Sequence, residues 1–291
     1  MGGDAGEVVV ANRLVGARHT RVVAMVPVLM AAVLVGVAGD ADPLGALLDS
    51  RSGEGMTQEA ALVKARLTGR PVTIAALTTE TTEQVALPSG DIRATITAGP
   101  VRTRRGDRWV PVDLTMVRAR DGSVQPVAHP SGLRVSGAQG IGVHELASLG
   151  AGARRTALTW DGALPEPVLE AERATYREVL PGVDLVVAAS RFGFAQTLVL
   201  KDRAAVDRVA KVQFGVTGPA VTGYERGETG ALTVRDAAGG VLVRMPPLRM
   251  WDAQLDIAGG PARTAPVAST VARAAGGLSL TLTPDLDWIR D

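Results

Sequence analysis

Short strand-like segments separated by turn signals recur along most of the chain and constrain its fold more than any other feature. Within each segment apolar and polar residues alternate, as they do along a strand that is buried on one face only. The segments return at intervals of about 8–12 residues, which is typical of sandwiches and barrels and not of alternating strands and helices. We therefore predict a mainly β protein made of antiparallel β-sandwich-like modules with many hairpins.

The predicted strands are grouped around turns that tolerate a positive φ. Asp121-Gly122 and the sequence Arg191-Phe192-Gly193 are two such turns. The strands are expected at 72–77, 92–96, 101–105, 109–114, 183–188, 194–200, 232–235, 241–244 and 278–283. Residues 166–178 are expected to form two strands joined by a charged turn, and 259–277 a loose loop rich in Pro, Ala and Gly.

One short helix is expected before the first strand. Thr57 can cap its N-terminus, and Gly69 followed by Pro71 can end it. Ala60, Val63 and Leu67 follow at helical spacing and are predicted to form its apolar stripe.

The N-terminus has the pattern of an export signal. Three arginines (Arg13, Arg18 and Arg21) precede an uncharged run at 22–38. As a helix this run would span about 26 Å, slightly short of the bilayer core. The cationic start, the apolar centre and the small residues before Ala38 are typical of a secretory signal peptide cleaved after Ala38, or after Ala41 as a second choice. An uncleaved membrane anchor is the main alternative.

These observations divide the chain into segments. Residues 1–38 are predicted to be the signal peptide or anchor, 39–56 a linker, 57–135 a first β module and 150–291 a second β module, with a Gly- and Ala-rich stretch joining the two. We predict that everything after residue 40 is exported across the cytoplasmic membrane and is secreted or displayed at the cell surface.

Charge and cysteine content exclude several classes of function. The chain has 31 basic and 30 acidic residues, and removal of 1–38 leaves 28 of each, so no electrostatic argument favours a nucleic acid partner. Membrane contact is expected only through 22–38, if that run is uncleaved. The absence of cysteine excludes disulfides, zinc fingers, iron–sulfur clusters and thiol nucleophiles.

No known catalytic, metal-binding or cofactor-binding motif is complete. His144-Glu145 begins like the zinc motif HExxH, but the fifth residue is Ser148. His129 is interpreted as a solvated loop residue, and no G-x-S-x-G sequence is present to hold a nucleophilic serine. The glycine-rich sequence 137–142 lacks the order of a dinucleotide or phosphate loop and is expected to be a flexible joint. We predict no catalytic residue, no metal and no cofactor.

Paired carboxylates leave one enzymatic alternative open. Glycoside hydrolysis needs two carboxyl groups about 5–10 Å apart. The candidates by residue type are Glu166, Glu170, Glu172, Asp184 and Asp252. Sugar sites also use aromatic platforms, but Trp109 and Trp251 are predicted to be core residues. The arginines at 102–108 are predicted to form a solvated hairpin tip.

A series of turn and strand-edge motifs occurs in a consistent order over about 57–283. The motifs are Thr79-Glu80-Thr81-Thr82, Pro88-Ser89-Gly90, Gly99-Pro100-Val101-Arg102, the sequence GDRWVPVD at 106–113, DGSVQP at 121–126, Ala174-Thr175-Tyr176, LPGVDL at 180–185 and Met250-Trp251-Asp252-Ala253. They resemble the N-terminal region of large exported actinobacterial proteins, which carry laminin-G-like jelly-roll domains or YD repeats with polymorphic-toxin ends.

The resemblance implies an exported β-rich module at the head of a longer secreted or surface protein, with no catalytic residue to carry over. Two departures are visible. Ser89 stands where a turn Asp is commoner, and the chain ends at Asp291 where family members continue into further strands and effector or binding domains. We therefore expect a truncated product or a stand-alone head.

Together these observations predict an exported, non-enzymatic structural or interaction module. Its partners are unknown, with cell-wall or extracellular glycan and a downstream domain as candidates. The alternative is a carbohydrate-binding or glycoside-cleaving β-sandwich acting on extracellular glycan.

Overall fold

The computed structural model describes residues 25–31, 56–253 and 260–291. The helices are α1 (Gln58–Thr68) and α2 (Leu286–Arg290). The first strands in chain order are β1 (Met25–Ala31), β2 (Val72–Thr73), β3 (Thr82–Ala86), β4 (Ile92–Ile96), β5 (Arg102–Arg105), β6 (Arg108–Pro111), β7 (Asp113–Arg118), β8 (Val124–Ala128), β9 (Arg134–Val135), β10 (Val143–Leu149), β11 (Thr156–Asp161) and β12 (Val168–Glu170). The remaining strands are β13 (Arg173–Leu180), β14 (Val183–Ser190), β15 (Gly193–Leu200), β16 (Val212–Thr217), β17 (Gly223–Arg226), β18 (Leu232–Arg235), β19 (Val241–Met245), β20 (Arg249–Trp251), β21 (Thr264–Pro266), β22 (Ala268–Ala274) and β23 (Gly277–Thr283).

Two large antiparallel sheets form most of the fold. One has the strand order β22-β23-β16-β11-β10-β9-β8-β7. The other has the order β12-β13-β14-β15-β1-β19-β18-β17, with β20 paired to β1 and β21 paired to β20. The predicted class, mainly β with antiparallel sheets and many hairpins, is confirmed.

The core lies between these two sheets. Alternate residues of β14 (Val183, Leu185 and Val187) are buried, and so are Leu278, Leu280 and Leu282 of β23 in the other sheet. All six belong to one continuous hydrophobic cluster. Burial of each such side chain contributes about 1.5–3 kcal/mol to folding, so the period-two pattern of these strands is what joins the sheets.

The predicted hairpins are largely present. The strand pairs β7–β8, β14–β15 and β18–β19 surround the expected turns, and Gly122 has φ 83° as the Asp-Gly turn requires. The segment 166–178 forms β12 and β13 around the turn at Ala171-Glu172, also as predicted.

The prediction of a loose loop at 259–277 was wrong for the part of this segment that the structure describes. Residues 264–266 form β21, and 268–274 form β22, which pairs with β23 over seven residues. The local sequence is rich in Ala and Gly and carries little strand signal of its own. Pairing with the strongly alternating β23 therefore determines its conformation, an effect that local propensity does not report.

The division into modules differs from the expected one. β7 and β8 were placed in the first module, yet they lie in the same sheet as β16, β22 and β23 of the second. The expected boundary at 136–149 therefore falls inside this sheet. Residues 56–96 form a smaller unit with a separate hydrophobic cluster, which contains α1 and the three-stranded sheet β2-β3-β4.

Helix α1 forms within the predicted limits. The Thr57 side chain accepts a hydrogen bond from the Ala60 N–H (3.3 Å), and Gly69 ends the helix with φ 64°. The following segment differs from prediction, because only β2 is a strand and 75–77 form a 3-10 turn.

The predicted apolar stripe of α1 was wrong. Val63 is 58% exposed and Leu67 is 82% exposed, whereas Ala61 and Ala65 are fully buried beside Ile74 and Ala86. Small side chains on this face allow the helix to lie close to β2 and β3, so close approach decides which face is buried.

The apolar run at 22–38 is also different from the expected helix. Met25–Ala31 is a strand paired with β15 over seven residues, and the rest of the run lies outside the described residues, as does the linker up to residue 55. Among the residues that the structure does describe, none belongs to a helix long and apolar enough to cross a membrane.

Lysine substitutions test which face of α1 is buried. Ala65→Lys should destabilise the small unit by at least about 2 kcal/mol, because a charged side chain would enter a closed cluster. Leu67→Lys should change stability by less than about 0.5 kcal/mol, since Leu67 lies in solvent. Amide hydrogen exchange over 58–96 measures both effects, and equal loss of protection in the two variants would contradict this packing.

Candidate functional site

A polar cleft of about 440 Å³ lies on the described surface. It lies between the β7–β8 hairpin, the chain leaving β9, and the ends of β10 and β11. Its lining residues are Arg118, Asp121, Gly122, Ser123, Arg134, Val135, Ser136, Gly137, Ala138, Gln139, Glu145, Arg155 and Glu166.

Three ion pairs dominate the chemistry of this cleft. Arg118 pairs with Glu166, Arg134 pairs with Asp121, and Arg155 pairs with Glu145. Each pair is partly exposed, so its contribution to stability is small. The pairs nevertheless give the cleft fixed charges of both signs and no net charge.

Glu145 is the most buried of the three carboxylates. Burial alone would raise the pKa of Glu145, but hydrogen bonds from Arg155 and Ser148 and the positive charges of Arg155 and Arg134 outweigh it and lower that pKa. Glu145 therefore stays ionised at neutral pH. A general acid needs the opposite, a carboxyl group with a raised pKa.

Residues 137–139 of the glycine-rich segment 137–142 form part of the cleft wall, and backbone hydrogen bonds hold this part in place where a flexible joint was predicted. The Gln139 N–H donates to Leu164 O (2.7 Å), and the Leu164 N–H donates back to Gln139 O (3.0 Å). A Cβ atom on Gly137 would lie 2.2 Å from the carbonyl oxygen of Gly122, so this glycine is needed for close backbone approach. The glycines are visible in the sequence. The close approach of the Gly122 carbonyl, which requires a glycine at 137, is visible only in the structure.

Tyr176 supports the cleft from the core side. Its side chain is fully buried, and its hydroxyl donates to Ser136 O (2.5 Å). Burial raises the pKa of Tyr176, only partly opposed by the charge of Arg118, so the phenol stays protonated and keeps this hydrogen bond.

The structure does not gather the five candidate carboxylates into this cleft. Of the five, Glu166 alone lines the cleft. Elsewhere, Asp184 Oδ1 lies 3.1 Å from Lys201 Nζ. Glu172 Oε1 lies 3.8 Å from Arg173 Nε. Asp252 accepts a hydrogen bond from the Arg263 N–H, and Glu170 ends β12. The other acids of the cleft, Asp121 and Glu145, were not candidates, although one lies in the Asp-Gly turn and the other in the His-Glu pair.

The His-Glu pair lies on strand β10 and not on a helix. The His144 ring nitrogen Nε2 is 2.8 Å from Gly140 O, and Glu145 pairs with Arg155. Over residues 25–31, 56–253 and 260–291, no group of three or more His, Asp or Glu side chains could hold a metal ion.

The tryptophans are arranged differently from prediction. Trp160 is the one in the core, with its ring 5.4 Å from that of Phe214. Trp109 and Trp251 are half-buried, so their predicted core placement was wrong. The Cζ atom of Arg104 lies 4.6 Å from the centroid of the Trp109 ring, which is a cation–π contact within one hairpin.

The arginines of 102–108 were predicted to form a solvated hairpin tip, but two of them also donate hydrogen bonds to backbone carbonyls of other strands. Arg102 donates to Thr82 O (2.9 Å), and Arg105 donates to Val127 O. These bonds connect the β5–β6 hairpin to β3 and to β8. Side chains that reach distant carbonyls cannot be identified from local sequence.

His129 was predicted to be solvated, and this was wrong. It is 9% exposed, and its Nδ1 accepts from the N–H groups of Ser131 (3.1 Å) and Leu133 (3.3 Å). The proton therefore lies on Nε2, which donates to Ser190 O (2.8 Å) and Gly193 O (3.1 Å). Four backbone partners make His129 a connection between the loop after β8 and the tip of the β14–β15 hairpin.

This connection predicts a dependence of stability on pH. Burial lowers the pKa of His129 despite the hydrogen bonds to Gly193 and Ser190, so the unfolded chain takes up a proton more readily than the folded chain. The contribution of His129 should be complete above the ordinary value of 6.5 and should be lost as the pH falls through the lower folded pKa.

Urea unfolding at pH 7.5 and pH 5 measures this effect. His129→Gln should cost about 1–3 kcal/mol at pH 7.5 and should weaken the loss of stability on acidification. His144→Gln is the matched control and should keep the pH dependence of the unaltered chain. An unchanged pH dependence in His129→Gln would contradict the buried neutral imidazole.

Comparison with known proteins was made at three levels. A scan against protein-family models, a search of curated proteins and a search of solved structures found no match for this chain. The resemblance to large exported actinobacterial proteins therefore rests on the quoted motifs alone.

Proposed function

We propose that this protein is an exported, non-enzymatic interaction module that forms the head of a longer secreted or surface protein. The observation that carries the proposal is the polar cleft, where each of the three carboxylates is paired with an arginine. Side chains in such pairs can present charges of both signs to a partner, and the lowered pKa of Glu145 makes this carboxyl a poor proton donor.

The rim of the cleft supports a binding role. Ile141 is 94% exposed and Val143 is 69% exposed on the chain that continues from the cleft wall into β10. Exposed apolar side chains beside a polar site with balanced charges favour a partner that has both polar and apolar groups, such as a peptide segment.

The glycan alternative receives less support from this site. None of the described residues that line the cleft is aromatic, and sugars are commonly held against aromatic rings. Against the opposing effect of burial, hydrogen bonds from Arg155 and Ser148 hold the pKa of Glu145 in the cleft below its ordinary value, whereas glycoside cleavage requires a proton donor.

A glycan array combined with a hydrolysis assay tests the non-enzymatic part of the proposal. We expect no binding at millimolar glycan and no turnover. Turnover that is lost in both Glu145→Gln and Glu166→Gln, but kept in the control Glu228→Gln outside the cleft, would replace the proposal with the glycoside-cleaving alternative.

Export is supported by the sequence at 1–38, and it has a separate test. A reporter fused after residue 60 should appear outside the cytoplasm of a bacterial secretion host. Leu29→Arg should reduce export at least tenfold, because it places a charge in the apolar run, whereas Leu47→Arg in the predicted linker should have little effect.

Cytoplasmic retention of the unaltered fusion would contradict export. Equal export of the two arginine variants would show that the run at 22–38 is not the signal.

A further inference from the structure

Strand β1 comes from the same run that the sequence marks for export. In the structure β1 lies between β15 and β19, inside the larger sheet. One segment cannot cross a membrane, or be removed as a signal peptide, and also occupy this position. If the chain is exported as proposed above, the sheet therefore has an unoccupied strand position, which we call the β15–β19 slot.

The slot has one complete edge and one interrupted edge. β15 pairs with β1 from Met25↔Val199 to Ala31↔Gly193. On the other side the register contains only Ala31↔Arg244 of β19 and Met25↔Trp251 of β20. Pro246 and Pro247 separate β19 from β20 and have no N–H to donate. A strand in the slot is therefore held mainly by the backbone of β15.

With β1 in the slot, the buried side-chain amide of Gln196 has no hydrogen-bond partner. This residue is in the middle of β15 and is fully buried, yet neither Nε2 nor Oε1 of its amide has a hydrogen-bond partner. Its register neighbours are Val187 on β14 and Val28 on β1, and valine has no side-chain donor or acceptor. A buried amide without a partner is strongly unfavourable, and a hydroxyl or amide at the position of Val28 would supply one.

Arg244 provides a second requirement at the end of the slot. It is exposed on β19, opposite Ala31. No ion pair of the described part of the chain includes Arg244, so an acidic residue at the position of Ala31 would complement its charge.

We propose that the β15–β19 slot is a strand-acceptor site for an extended segment of a partner protein. The segment runs antiparallel to β15, has about seven residues, is uncharged through its centre and places a Thr, Ser, Asn or Gln opposite Gln196. This inference rests on the export part of the proposed function, because export is what removes 25–31 from the sheet.

Neither the described strands nor the predicted linker offers a suitable segment. β2 to β23 already have positions in the sheets. In the predicted linker the longest uncharged stretch is PLGALL at 43–48, which has neither a hydroxyl nor an amide side chain. A second copy of the chain would bring the same segments, so the chemistry favours a different protein. Main-chain hydrogen bonds would give such a partner its affinity, and Gln196 its specificity.

Peptide binding to the exported protein tests this directly. The probes are a fluorescent peptide with the sequence of Met25–Ala31, flanked by lysines for solubility, and the same peptide carrying V28T. Protein purified from the medium of the secretion host is first checked by mass spectrometry for its N-terminal residue. Fluorescence anisotropy should then show that the V28T peptide binds about tenfold more tightly than the unaltered peptide.

Two variants make the test specific. Gln196→Leu should abolish the preference for the V28T peptide, and the matched control Gln213→Leu, an exposed position on β16, should keep it. Exported protein that lacks 25–31 and binds neither peptide would overturn the acceptor site while leaving export intact. Exported protein that retains 25–31 and excludes both peptides would show that its own strand fills the slot, which also overturns the site.

Thermal unfolding of the full chain tests the polar requirement at Gln196 even if the exported form is unfolded. In full-length protein purified from the cytoplasm, Gln196→Leu and Val28→Thr should each raise the thermal midpoint by about 2–6 °C, because each removes the unpartnered amide. Gln213→Leu should leave the midpoint within about 1 °C. A lower midpoint in Gln196→Leu would mean that Gln196 has a partner and would overturn the polar requirement, whether or not the protein is exported.

Discussion

The pairing of β15 on both of its edges is the constraint on which the larger sheet depends. Phe194, Leu198 and Leu200 of this strand are buried in the common core, so the backbone that carries them must satisfy its hydrogen bonds within the sheet. β14 provides one edge through a complete hairpin. The other edge is provided by β1, a segment far away in sequence that belongs to the run predicted to be an export signal.

The region around β15 connects several parts of the fold. His129 holds the tip of the β14–β15 hairpin from a loop that follows β8 in the other sheet. Near the start of β14, Asp184 Oδ1 lies 3.1 Å from the Nζ atom of Lys201, which follows β15. These contacts fix the hairpin at both ends, whereas the edge that faces β1 depends on a strand that export would remove. A partner segment paired with β15 would therefore both bind the protein and stabilise the sheet, because the same backbone hydrogen bonds of β15 would do both.

Local features were predictable from the sequence because their causes are local. The caps of α1 at Thr57 and Gly69, the Asp121-Gly122 turn and the alternation of β14 follow from neighbouring residues, and the structure contains them. The burial of His129, the strands β21 and β22, and the burial of Ala65 in place of Leu67 depend on distant chain segments. The ion pairs of the cleft belong to this second group, because Arg118 and Glu166 are brought together only by the order of the strands.

Hydrogen exchange at 193–200 of the exported protein tests the claim that β15 needs a partner strand from outside the chain. In protein that lacks 25–31, the amides of 193–200 that point toward the position of β1 should exchange rapidly when the protein is alone and should become strongly protected when the V28T peptide is added. The amides of the same strand that bond to β14 should stay protected in both cases. Residues 278–283 of β23, which keep both neighbours in the other sheet, provide the internal reference. Full protection of 193–200 without any peptide would show that β15 needs no strand from outside and would contradict the claim.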